Sequence, residues 1–494
     1  MFKVTFIGAG SIGFTRVLLR DMLAVPEFHN IEVAFTDINP DNLRMVTQLC
    51  QRDIDANGLN IKIHATENRR EALTGAKYVI NAVRVGGLEA FATDVNIPLK
   101  YGVDQCVGDT ICAGGIMYAQ RDIPVMLDFC KDIREVCRPN ALLLNYANPN
   151  AMVTWACNKY GGVNTIGLCH GVMGGHHQIA EVLGAKYEDV EIICAGINHQ
   201  TWYTSVKLHG EDVPQSRILK GFMEHPDFSK TEKVRIDVMK RFGYYSTESN
   251  GHLSEYLPWY RKNAEEINKW IDLSSWINGQ TGGYLRVCTE GRNWFETDFP
   301  NWLAAEPEKF GTRSQEHGSY IIEGLETGRT YRGHFNVVNN GCITNLPNDA
   351  IVEVPGYVDF NGVSIPKVGD LPLGCAAICN ASISVQRLAV EAGVHGDVFL
   401  LKQAMMMDPL VGACCTTADI DQMTDEMLIA GEQWLPQYGT AIETAKEKRN
   451  SPEWVEHAEY EGAARLKVKS ADDMQAEAEK NRAMAAATEK AGFE

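Results

Sequence analysis

The chain has 494 residues, 45% of them hydrophobic and 22% charged, the make-up of an ordinary globular protein too long for a single compact core. Its net charge of −18 speaks against nucleic acid and anionic membrane surfaces as partners, because both repel it. The apolar run at 4–7 is too short for a signal peptide, and no stretch reads as the roughly 20 apolar residues of a membrane span. Fourteen scattered cysteines without paired CxxC spacing point to reduced thiols in the cytoplasm.

Residues 3–7 form a β-branched and aromatic strand that ends at Gly8-Ala9-Gly10-Ser11-Ile12-Gly13. Val17, Leu18, Leu19, Met22 and Leu23 then mark a helix, and 31–35 a second strand that ends at Asp37. A helix over 41–56, a buried strand at 78–83 and a helix over 116–137 follow. A strand at 141–145 is stopped by Asn148-Pro149, and another at 165–168 ends at Cys169-His170. This alternation predicts a Rossmann-type, doubly wound parallel sheet with helices on both faces over 1–195, an α/β fold. Beyond it come a Trp- and Gly-rich stretch (255–303), a β-rich one (335–365) and helical segments over 376–407 and on to about 435. These predict a mixed α+β domain over 196–439, serving substrate binding and oligomerisation. Residues 440–494, rich in Ala, Glu, Lys and Arg, read as an exposed helical or partly disordered tail.

A lone glycine-rich turn is weak evidence, but this one follows a strand, opens a helix and is answered by an acidic residue at the end of the next strand. Gly8 permits the tight turn, Gly10 lets backbone approach a pyrophosphate, and Gly13 is expected to allow close helix–strand packing. Ser11 and Ile12 open the helix, whose unpaired N–H groups suit phosphates. The Asp37 carboxylate would accept bonds from a ribose diol and repel a 2′-phosphate, and Ile38-Asn39 supplies no arginine for NADP. The cofactor expected is NAD. Asn81, within the strand at 78–83, joins the candidate cofactor residues.

Ligands of open α/β sheets bind beyond the carboxyl ends of the strands. Three such ends carry unusual chemistry: Asn148, Cys169-His170, and His199 in Ala195-Gly196-Ile197-Asn198-His199. Singly, a cysteine is more often a core thiol and a histidine a hydrogen-bonded structural group. Together, a thiolate and an imidazole can hold a divalent metal and leave positions open for substrate oxygens.

The segments FIGAGSIGF (6–14), QCVGDT (105–110), NYANPN (145–150), GLCHGV (167–172), AGINH (195–199), GYYSTESNGHLSEYLPWY (243–260) and NGCITNLPNDAIVEVP (340–355) occur in one order over about residues 2–439. The chain resembles glycoside hydrolase family 4, most closely its α-galactosidase branch. The resemblance implies a glycosidase needing NAD⁺, a divalent metal such as Mn²⁺ and reduced thiols, outside the usual carboxylate-pair mechanism. Hydride leaves sugar C3 for NAD⁺, the C2 proton becomes acidic and is taken by a base while the aglycone leaves C1, water adds back, and the hydride returns. By the same resemblance Cys169 and His199 are the metal ligands, His170 protonates the leaving group, Tyr256 takes the C2 proton, and Asn148 and Asp109 touch sugar hydroxyls. Two departures stand out. Cys112-Ala113-Gly114-Gly115 replaces the family's Gly-Pro-Gly-Gly, and Gly171 stands where α-galactosidases usually carry serine. Phe91-Ala92-Thr93 offers no arginine where phospho-sugar members carry one, so an unphosphorylated glycoside is the expected substrate. α-Galacturonides and α-glucosides stay open as alternatives to α-galactosides. A simple NAD-dependent dehydrogenase is the competing reading from another class, and a non-catalytic NAD-sensing protein a third. A homodimer or homotetramer is expected.

Overall fold

A computed structural model of the chain describes residues 1–274, 279–477, 479 and 480. Its strands are β1 (Lys3–Ile7), β2 (Glu32–Thr36), β3 (Ile63–Ala65), β4 (Tyr78–Asn81), β5 (Leu142–Asn145), β6 (Thr165–Gly167), β7 (Val190–Ile197), β8 (Gln200–Leu208), β9 (Glu211–Asp212), β10 (Tyr331–Val338), β11 (Ile351–Asp359) and β12 (Gly362–Ser364). The first six are parallel in the order β3-β2-β1-β4-β5-β6. Their near-continuous apolar sequences follow from burial on both faces: every residue of β4 and β5 is buried. The chain reverses direction across the sheet at β1 and β4, and the crevice beyond their carboxyl ends is where a ligand fits.

The sheet does not stop at β6. β10 pairs antiparallel with β6, and β11, β7, β8 and β9 continue outward, with β12 on β11. The α/β and mixed α+β parts expected from sequence are therefore joined by one sheet, and residue 195 falls inside β7. Covering β6 removes an edge that would otherwise present unpaired backbone groups.

The helix expected after the glycine turn spans Ile12–Leu23 and buries Leu18, Leu19, Met22 and Leu23. The helical stretch near 376–407 is two helices, Leu373–His395 and Val398–Met407, broken at a left-handed Gly396 and capped by Asp397, which accepts the backbone N–H groups of Phe399 and Leu400. Leu373–His395 corrects the expectation that no stretch has membrane-span character: its 23 residues are long and apolar enough by composition. It buries Cys375, Cys379, Ile383, Val385, Ala389 and Val390 and packs against the helices Cys112–Val136 and Val398–Met407, as a core helix does.

The tail is helical over Gly439–Arg449. Residues 451–469 depart from the expected exposed helix: they run irregularly, the Ala463 N–H reaches Asp104, and Ala464 is buried against Ile267 and Ile271. The expected character of 481–494 lies outside the described residues.

Candidate active site

One cavity of 1490 Å³ runs along the carboxyl ends of the parallel strands, from Asp37, Ile38 and Asn42 past Gly8–Phe14 to Asn148, Cys169, His170 and His199. It exceeds the ~300–1,000 Å³ of a pocket for one small ligand. At the first end the turn is built by backbone constraint. Gly8 has φ +77°, and a Cβ there would lie 3.0 Å from the Ala82 carbonyl carbon. The Gly10 N–H donates to Asp37 Oδ2 (2.8 Å), and Asn39 N–H to Oδ1 (2.8 Å). Asp37 thus locks the turn it faces, a role beyond the expected ribose contact. Ser11 caps Ile12–Leu23 without a side-chain bond, and Gly8, Gly10, Ser11, Ile12 and Gly13 all line the cavity. Gly13 needs correction: a Cβ there meets no atom within 4 Å, so it leaves space toward the cavity and does not serve helix–strand packing. Asn81 is also corrected. It is buried off the cavity wall, its amide donating to Asn145 Oδ1 (2.8 Å), and it ties β4 to β5 beneath the site.

At the other end, three chain segments bring metal-ligating side chains together. Cys169 follows β6, where Leu168 N–H donates to the Asn145 carbonyl (2.9 Å). His199 sits in the turn between β7 and β8 with φ +62°. Glu248, not singled out from sequence, is brought in because Thr247 N–H donates to the Thr201 carbonyl (2.9 Å) and Thr247 Oγ1 accepts the Thr201 N–H (3.0 Å). The ligand atoms of Cys169, His199 and Glu248 all lie within 4.8 Å of one another, and His199 Nε2 is 3.0 Å from Glu248 Oε2. Gly171 permits this: a Cβ there would sit 2.8 Å from Glu248 Cγ. Thiolate, imidazole and carboxylate are the donors of a borderline divalent cation. Burial pulls His199 down to about 4, so its ring is neutral and can ligate near pH 7. Burial, then Glu248 and Glu353, push the Cys169 thiol well up; a bound cation would reverse that balance.

His170 caps the helix Gly171–Leu183 on the cavity wall, half-exposed, with Nε2 against Glu316 Oε1. Burial opposes its charging, but the Glu316 hydrogen bond and the charges of Glu316, Glu248 and Glu353 outweigh it and raise its pKa. Glu316 was not legible as its partner. His252 also lines the cavity, its ring 4.3 Å from that of His199. Asn148 lines the cavity and donates to both oxygens of Asp109 (3.2 Å each). Asp109 itself is fully buried behind Asn148, also bound by Arg84 (3.1 Å) and Thr110 (2.9 Å), so the expected sugar contact is corrected to a supporting position. Tyr256 is likewise buried just off the cavity lining, its hydroxyl donating to the Asn198 carbonyl (3.2 Å) beside His199. Burial, then the Glu248, Cys112, Glu255 and Cys169 charges, raise its pKa well above the ordinary phenol value. The departure at 112–115 is absorbed as the first turn of Cys112–Val136. Cys112 takes φ +61°, held by its N–H to Asp408 Oδ2 (3.1 Å), while Gly114 and Gly115 keep close backbone approaches to Gly108 and Thr110.

Residues 3–185 match the family described as Family 4 glycosyl hydrolase, and 194–411 match the Family 4 glycosyl hydrolase C-terminal domain. An alpha-galactosidase of Rhizobium meliloti (strain 1021) is 58% identical over 480 residues, covering 97% of this chain and 98% of its own. An alpha-galactosidase of Bacillus subtilis (strain 168) is 36% identical, covering 89% and 100%. A solved 6-phospho-beta glucosidase of Thermotoga maritima, with manganese, NAD⁺ and glucose-6-phosphate, superposes with a TM-score of 0.72 at 25% identity, covering 87% of this chain and 99% of its own. With both halves matched and full-length relatives on either side, the chain is a glycoside hydrolase and belongs to family 4.

Proposed function

We propose that this enzyme hydrolyses α-glycosides, α-galactosides foremost, with NAD as a recycled cofactor and Mn²⁺ or a similar divalent cation. One observation carries the reading: a single cavity joins the Asp37-locked glycine turn to the Cys169, His199 and Glu248 donors. The two α-galactosidase relatives support the sugar, and the neighbour solved with manganese and NAD⁺ supports the cofactors. When bound, NAD⁺ would supply a reversible hydride acceptor for sugar C3, and the metal would supply Lewis acidity toward the sugar oxygens. Gly8, Gly10, Ser11, Ile12, Gly13 and Asp37 hold the dinucleotide; Asn81 supports the strand ends beneath it. Cys169, His199 and Glu248 hold the cation. Asn148, oriented by Asp109, binds sugar hydroxyls. Tyr256 takes the C2 proton, its anion favoured only once positive charge sits among the neighbouring anionic groups. His170, kept protonated by Glu316, donates to the leaving oxygen. Water adding at C1 and the proton returning to C2 complete a net hydrolysis.

The sugar is unphosphorylated. Positions 91–93 supply no arginine, and the Arg84 guanidinium that lines the cavity, 4.4 Å from the Phe91 ring, has its charge taken up by Asp109 at 3.1 Å. The chain divides into a cofactor segment (1–195), a substrate and oligomer segment (196–439) and a tail. The fourteen cysteines favour the cytoplasm, and exposed Leu373 (86%), Phe399 (75%) and Met407 (56%) favour a homodimer or homotetramer. The test is a panel of aryl α-glycosides with NAD⁺, Mn²⁺ and thiol, run also in D₂O. Cleavage without NADH build-up, with deuterium at C2 of the freed sugar, is expected. Net NADH formation without cleavage would make the enzyme a dehydrogenase.

A further inference from the structure

Between Asp109 and His199 lies a side chain that neither sequence nor resemblance singled out. Thr110 is buried at 4% exposure, at the start of the segment that leads into Cys112–Val136. Its Oγ1 is 2.9 Å from Asp109 Oδ1 and 3.2 Å from His199 Nδ1. A hydroxyl has one proton to give. Asp109 is an acceptor on every side, ion-paired with Arg84 at 3.1 Å and receiving the Asn148 amide on both oxygens. If the hydroxyl proton faced His199, two oxygen lone pairs would oppose each other at 2.9 Å in a buried site, so the proton goes to Asp109. Thr110 Oγ1 can then only accept from His199, and Nδ1 must carry the ring proton. That leaves the lone pair on Nε2 facing Glu248 Oε2 at 3.0 Å, an oxygen with no hydrogen-bond donor, and the repulsion between them is what a cation shared with Cys169 would relieve.

We propose that Thr110 is the positioning residue that fixes the His199 tautomer and so prepares Nε2 for the metal. The inference rests on the reading of His199 as a metal ligand and adds what selects its donor atom. Outer groups of this kind are worth about 10–100-fold in metal affinity. Gly115 explains why the relay is rigid: a Cβ at 115 would lie 2.5–3.0 Å from Thr110 backbone atoms, so helix and threonine are packed without slack.

The experiment is Mn²⁺ titration by electron paramagnetic resonance and calorimetry on the full chain, with ¹⁵N-histidine spectra of metal-free protein. Thr110→Val keeps shape but loses the hydroxyl and should bind Mn²⁺ about 10–100-fold more weakly. Thr110→Ser should stay near the parent value, and all three proteins should bind NAD alike. The ¹⁵N spectrum of the unsubstituted protein should show His199 protonated at Nδ1. His199→Ala separates the two claims. If it leaves Mn²⁺ binding intact, the ligand assignment fails. If it abolishes binding while Thr110→Val binds as tightly as the parent, the positioning role fails. Should Thr110→Val not fold, a His199 protonated at Nε2 in the parent overturns the proposal alone.

Discussion

The two ends of the cavity are built by different rules. The cofactor end comes from one contiguous unit, residues 3–37, in which strand, turn, helix and strand follow one another and Asp37 closes back on Gly10. The metal end is assembled from the segments at 109–110, 169–170, 198–199 and 248–256, none adjacent in sequence. Even their glycines differ. The space a Cβ would take is empty at Gly13, whereas at Gly171 it is filled by Glu248. A bound cation needs its donors at once, so losing one donor at the assembled end should cost more than losing one contact at the local end.

The largest effect should therefore come from the assembled end. Cys169→Ala removes one of three donors and is expected to lower kcat/KM by roughly 10³-fold, the scale of about 4 kcal/mol of Lewis-acid stabilisation. Its NAD affinity, read by fluorescence titration, should match the parent's. A variant that loses NAD and metal in parallel would show that the two ends do not act separately.

The same contrast explains what the sequence made legible. The parallel sheet, the turn and Asp37 were readable because hydrophobic runs, glycine spacing and one acidic residue lie within a single strand–helix–strand unit. Cys169 and His199 stood out as strand-end donors. Glu248 did not, since its placement depends on Thr247 bonding to Thr201 in another strand, and a glutamate in a polar loop carries no periodic signal. Glu316 reaches His170 across 146 positions, again without local trace. Asn81 was read as a cofactor contact within a candidate strand, and Asp109 as a sugar contact by the resemblance. Here Asn145 and Asn148 turn them into supports, a distinction only side-chain pairing reveals.

At the local end, Asp37→Ala should weaken NAD by about 10²-fold, near the upper end of a charged hydrogen bond's 1.5–3 kcal/mol, because the Gly10 N–H also loses its acceptor. The margin against NADP should narrow at the same time. Equal affinities for both cofactors before and after would place the ribose elsewhere. Gly13→Ala should cost less, about tenfold in NAD affinity from crowding of 1–3 kcal/mol. Its melting temperature should hold or rise, since alanine suits an exposed helical position better by about 1 kcal/mol and meets no protein atom within 4 Å. A drop in stability with unchanged NAD binding would return Gly13 to a packing role.

The smallest effect is expected where the metal end meets solvent. His170 must be protonated to donate to the leaving oxygen, so activity should fall as pH rises through its pKa, which Glu316 helps hold above the ordinary imidazole value of 6.5. Burial works the other way, disfavouring the charged ring. Glu316→Gln keeps a hydrogen-bond acceptor but removes the charge, leaving burial less opposed. The basic limb of kcat/KM should therefore move toward lower pH, while rates well below the limb stay at the parent level, because there the imidazolium is already fully formed. Above neutral pH the loss should be several-fold, larger for a sugar aglycone than for a nitrophenyl one, whose oxygen departs with little help from a proton. Metal affinity should not change, since Glu316 lies outside the Cys169, His199 and Glu248 donor group. A basic limb that stays in place would remove His170 from the role of acid and leave protonation to a group deeper in the assembled end.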